Sequence, residues 1–155
     1  MFKLQLTLVA ALAAALVAVV LAGPAAAATP ATPSGTFTET SRTLTFVKES
    51  GGNVYYRIRD THTYAGTLTG TDVFDGTAIL KQDGTVSWNG TSTYTGSVAG
   101  CGSGTIVFKA EGGADSLTGP AHCHQEMIGG TFPGHVNLFL DGTVTELTYG
   151  GSYSC

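Results

Sequence analysis

The chain has 155 residues, with seven Lys or Arg against eleven Asp or Glu and a formal net charge of −4 at pH 7. Binding a nucleic-acid backbone needs a dense basic face, and basic residues cluster only at Arg57 and Arg59, so no nucleic-acid partner is expected. The 22 glycines could suggest disorder, but aromatic and β-branched residues recur at alternating positions beyond residue 34, the composition of a strand-rich globule.

At the amino terminus Lys3 precedes an apolar stretch from Leu4 to Ala22, followed by small residues from Ala25 to Ala28. Charged, apolar and small-residue regions in that order read as a secretory signal over residues 1–28, the one place where a helix is expected. The expected product is secreted, extracellular and not stably inserted in a membrane after cleavage. A retained anchor is the competing reading, because about 20 apolar residues span a bilayer. Residues 29–34 read as a mobile Thr-Pro-Ala linker, and residues 35–155 as one domain of ordinary size.

Within that domain the clearest alternation runs from Asn53 to Gly70. Its even positions are Val54, Tyr56, Ile58, Asp60, His62, Tyr64 and Leu68, and its odd positions are mostly Arg and Thr. Side chains alternate across a strand, so the even set is expected to face a core. From Thr85 onward Val86, Trp88, Tyr94 and Val98 share one face, and Thr and Ser fill the other. The Gln82-Asp83-Gly84 loop between Lys81 and Thr85 predicts a hairpin that sets Ala78 beside Trp88 and Leu80 beside Val86. Thr63–Gly70 and Thr93–Gly100 have nearly the same sequence, and Asp83-Gly84-Thr85-Val86 recurs at Asp141–Val144, as though one hairpin unit had been reused. Strands are predicted near 35–47, 53–69, 73–81, 85–99, 103–111, 116–128, 135–140 and 143–153. Eight antiparallel strands are enough to close a sheet on itself, so the expected fold is all-β, a single eight-stranded antiparallel barrel; a two-sheet sandwich is the alternative.

The segments Tyr64–Gly70, Asp83–Thr85, Tyr94–Gly100, Gly102–Phe108 and Ile128–Phe132 occur in an order that resembles the DUF3224 family. That family looks like part of the allene oxide cyclase and dirigent-type barrel superfamily, so the resemblance implies an allene oxide cyclase-like barrel with a central cavity. The shared motifs are glycine and turn positions, which specify backbone rather than chemistry, and no catalytic residue carries over.

Three cysteines permit three single bridges. With a turn near Gly112–Ala114, Cys101 and Cys123 come close to facing each other and are the expected pair, although Cys155 could replace either one. His122 and His124 stand at i and i+2 and could share an ion, but Leu117, Ala121, Cys123 and Met127 form the apolar parity there. Both histidines are therefore expected outside, with no metal or cofactor bound; His135 is a weaker third ligand. Asp60 and His62 lie on the inward parity, where a carboxylate that orients an imidazole makes a base. The simpler expectation is a β-bulge or break at Arg59–Thr61 that turns both to solvent.

Tyr56, His62, Tyr64, Trp88, Tyr94 and Phe108 are the expected lining of a cavity that binds a small apolar molecule. No nucleophile elbow, phosphate loop or paired-carboxylate motif is present, so a non-enzymatic role is expected. The alternatives are an isomerase or cyclase of the allene oxide cyclase type using Asp60 and His62, and a surface protein that recognises macromolecules through its Thr-rich exterior.

Overall fold

The computed structural model describes residues 31–155; the predicted signal at residues 1–28 lies outside the described residues. Eight strands follow in order: β1 Gly35–Ser50, β2 Asn53–Gly66, β3 Leu68–Leu80, β4 Val86–Val98, β5 Gly102–Ala114, β6 Pro120–Gly130, β7 His135–Thr143 and β8 Glu146–Ser154. Each pairs antiparallel with the next, and β8 returns to β1 through Tyr149↔Gly35 to Glu146↔Thr38, so the sheet closes into a ring. A two-sheet sandwich would lack that last pairing. No helix occurs among the described residues.

The alternation read from the sequence sets the inner face. In β2 the even residues Ile58, Asp60, His62 and Tyr64 are all buried. The predicted register of the β3–β4 hairpin is present, with Ala78↔Trp88 and Leu80↔Val86. On the outside, Thr38↔Thr63, Thr63↔Thr71, Thr71↔Thr95 and Thr95↔Thr105 line up in one row across five strands. Cross-strand Thr pairs of this kind contribute roughly 0.2–1 kcal/mol each, so the exposed face stabilises the sheet without apolar burial.

The two ends of the ring differ. Turns β2–β3, β4–β5 and β6–β7 gather at one end, where Leu68, Tyr94, Val98, Ile106, Phe132, Val136 and Tyr149 form a dense core. Two tyrosines brace this end. Tyr149 Oη accepts the Leu68 N–H at 2.8 Å, and Tyr94 Oη lies 2.8 Å from the Ser97 carbonyl oxygen. Their rings lie over Gly35 and Gly96, where a Cβ would collide with the phenol. At the opposite end Ile58, Phe74, Ala78 and Ala110 form a smaller cluster, and the side chains leave a hollow.

Three expectations are corrected here. The linker is partly docked: Ala31 and Tyr153 exchange both backbone hydrogen bonds, at 2.8 and 2.9 Å, and Pro33 is buried. The β5–β6 turn does not fall at Gly112–Ala114; β5 continues through Ala114, and Gly112 pairs with Cys123. That longer strand is why the expected Cys101–Cys123 bridge does not form. Cys101 precedes β5 at the dense end, Cys123 sits most of a strand length away, and a disulfide cannot span Cα atoms more than about 7 Å apart. Cys101 pairs instead with Cys155, which follows β8 to the same end, at a Cα–Cα distance of 5.5 Å.

Cys123 is free, and burial pushes its thiol up to about 12. Thiol labelling of the native protein at neutral pH should therefore be slow, and in denaturant without reductant it should modify Cys123 alone. The bridge closes a 54-residue separation, so Cys155→Ser should lower unfolding stability by about 4 kcal/mol in chemical denaturation.

Candidate functional site

Between the dense end and the hollow lies a layer of inward polar side chains: Asp60, His62, Asp72, Ser92 and Gln125, all at most 7 % exposed. The predicted break at Arg59–Thr61 is absent. These residues pair in unbroken register with β3, from Arg59↔Asp75 to Thr61↔Val73, and the irregularity falls on the neighbouring strand β1, between Glu39 and Ser41. Asp60 and His62 therefore keep their inward parity.

Asp72 organises the layer. It stands opposite His62 in the β2–β3 register, with His62 Nδ1 at 2.6 Å from Oδ1. The Ser92 hydroxyl donates a hydrogen bond to Oδ2, and the Tyr64 hydroxyl lies 3.2 Å from the same oxygen. Tyr64 Oη is also 2.8 Å from Gln125 Oε1, so one phenolic proton faces two acceptors. Turning the Gln125 amide over would make it the donor and release that proton to Asp72. Burial, and then the Asp72 charge, hold the Tyr64 phenol well above its usual range. Phe37 stacks on the His62 ring, with centroids 4.1 Å apart. With one nitrogen tied to Asp72 and one face covered, the imidazole is held in a single orientation.

Asp60 belongs to a second cluster. Arg42, its β1 partner, donates Nε–H to Oδ2 at 3.1 Å, and Arg42 Nη2 also contacts Glu39 Oε2. That Glu39 contact is close but lacks hydrogen-bond geometry, and Glu39 Oε2 and Asp60 Oδ1 are both buried without a hydrogen-bond partner. Burial raises the Asp60 carboxyl above its ordinary value, and the Arg42 guanidinium opposes the shift.

Above this layer the hollow has a volume of about 80 Å³ and opens at the end formed by the β3–β4, β5–β6 and β7–β8 connections. Tyr56, Ile58, Phe74, Ala78, Leu80, Val86, Trp88 and Cys123 supply most of its wall, and Asp60, His62 and Gln125 supply polar atoms. Leu44 and Leu117, both exposed, extend the apolar surface to the mouth.

Of the residues expected to line a cavity, Tyr56, His62 and Trp88 do so. Tyr94 and Phe108 do not: both are fully buried in the dense core, because Tyr94 spends its hydroxyl on backbone carbonyls at the far end. Tyr64 lies just beneath, in the polar layer. His122 is exposed, and His124 Nε2 lies 2.7 Å from Asn137 Oδ1 with its ring stacked on Phe139. No group of three or more His, Cys, Asp or Glu side chains that could hold a metal ion occurs among the described residues. The sequence reading missed Asp72, Ser92, Gln125 and Arg42. The first three share the inward parity of Phe74, Tyr94 and Cys123, which was the available signal.

No protein-family model and no curated protein matches the chain. Among solved structures it is similar to a protein of unknown function from the DUF3224 family of Shewanella oneidensis MR-1. That likeness has a TM-score of 0.61 at 16% identity and covers 81% of this chain and 96% of that one. It supports the DUF3224 resemblance at the level of fold and does not reach the allene oxide cyclases.

Removing a buried acceptor leaves its donors stranded. Asp72→Ala should cost about 3 kcal/mol in urea unfolding. Asp75→Ala breaks only the exposed pair with Arg59 and should change stability by less than about 0.5 kcal/mol.

Proposed function

We propose that the open end of the ring binds a small, largely apolar molecule. The observation that carries this reading is an apolar-walled hollow that ends on a fixed polar floor, the usual make-up of a small-molecule site. Its volume of about 80 Å³ limits the guest. Pockets that enclose drug-sized ligands measure roughly 300–1,000 Å³, and a benzene-sized cavity about 150 Å³. The guest is therefore slender, or enters with one end and leaves the rest on the rim at Leu44 and Leu117. The Cys101–Cys155 bridge is compatible with maturation in an oxidising compartment and supports the secreted location that belongs to the same proposal.

Trp88 is the chain's single tryptophan and part of the wall, so its emission reports occupancy. Titration with an apolar fluorescent probe should shift Trp88 emission, and native mass spectrometry should show a one-to-one adduct. Ala78→Leu, which fills the hollow from its wall, should weaken probe binding about tenfold or more, in line with the loss of a well-packed apolar contact. A probe that leaves Trp88 unchanged in the wild type would remove the reading.

A second reading, an isomerase or cyclase, is favoured by the His62–Asp72 pair. A carboxylate holds Nδ1, so the ring's other nitrogen is the one left to move a proton on a guest above it. A ketone such as cyclobutanone, incubated in D2O, should then exchange its α-protons with the wild type and not with His62→Gln. Equal exchange in both would exclude His62 as the base.

A further inference from the structure

The polar side chains around the hollow are unequally satisfied. Asp72 has His62, Ser92 and Tyr64 around it, whereas Asp60, only 3 % exposed, keeps one carboxylate oxygen without any hydrogen bond. A buried acceptor without a partner is costly, and in a folded protein it normally has one. No neighbouring donor reaches it in the structure. Arg42 donates Nε–H to the other Asp60 oxygen and lies with Nη2 against Glu39 without a hydrogen bond, and His62 turns Nδ1 to Asp72. Glu39 and Asp60 bring two carboxylates to one guanidinium.

Asp60 and Arg42 both line the hollow, so this imbalance lies in its wall. We propose that the guest carries an amino group, entering ammonium-first to donate to the under-satisfied Asp60 carboxylate while its hydrocarbon part lies between Tyr56, Trp88 and the rim. This inference rests on the apolar-guest reading above and names the head group which that reading leaves open. An ammonium supplies the missing donor and the missing positive charge together. A hydroxyl supplies the donor alone, and a carboxylate supplies neither. Burial of the Asp60 carboxyl, which raises its proton affinity, acts in the same direction by favouring any arrangement that brings a proton or cation to it.

The experiment compares three probes of equal length, hexylamine, 1-hexanol and hexanoate, titrated at pH 7 into the purified, oxidised protein with Trp88 emission and its indole NMR signal as readouts. Hexylamine should bind about tenfold more tightly than 1-hexanol, the scale of a hydrogen bond to a charged group, and hexanoate should bind weakest. In Asp60→Asn the amine should lose its advantage while hexanol binding is kept. Arg42→Gln removes the competing cation and should widen the advantage, which keeps the test decisive if the Asp60 variant fails to fold. Equal binding of hexylamine and hexanol would overturn the amine inference and leave the apolar-guest reading standing. An amine preference that persists in Asp60→Asn, or narrows in Arg42→Gln, would remove Asp60 as its cause. If none of the three probes moves Trp88, the apolar-guest reading falls and the inference falls with it.

Discussion

A carboxylate with almost no access to water has to find its hydrogen bonds inside the protein, and at Asp72 that requirement fixes the middle of the ring. His62, Ser92 and Tyr64 come from strands β2 and β4, on either side of β3, and all converge on it. They can do so only while the three strands keep their register, since a one-residue slip would turn every one of these side chains outward. The polar layer is therefore a lock on register as well as a floor for the hollow. Its strength comes from the low dielectric around it, which also makes any unpaired member expensive.

The layer divides the interior into two unlike halves. On one side aromatic rings lie across inward glycines, Tyr94 over Gly96 and Tyr149 over Gly35, and tyrosine hydroxyls reach the backbone of the neighbouring turns. Glycine is needed at these points because a Cβ would occupy the space of the ring. Cys101–Cys155 ties the same end. On the other side Phe74 covers Gly76 and Gly90, and Trp88 covers Gly112, but the remaining wall is built from smaller or retracted side chains and stays open. A well-packed half thus lies beneath an open one.

Much of this was legible as parity. The inward placement of Tyr56, Ile58 and Tyr64, and the pairing of Ala78 with Trp88, follow from a period of two and one glycine turn, whereas His62 is inward against the expected break at Arg59–Thr61. Asp72 escaped because β3 begins at Leu68, ahead of the strand predicted near 73–81. Ser92 and Gln125 escaped because a polar residue on an apolar face draws less notice than its neighbours. Arg42 could not have been found in this way. The irregularity near Thr40 reverses the parity of β1, so that Glu39 and Arg42, three residues apart, both point inward, and no local pattern announces it. The cysteine pairing was illegible for a related reason: it depends on where β5 ends and on which end of the ring β8 reaches.

The number of strands, the turn between Lys81 and Thr85 and, outside the irregular stretches, the side chains that turn inward could all be read along the chain. Those properties are local, set by alternation and by glycine at tight bends. Closure of the ring is what brings Cys155 rather than Cys123 to Cys101, leaves Asp60 with a free oxygen, and places the hollow at one end. Each of these depends on distances between residues far apart in the chain, which exist only once β8 has closed on β1.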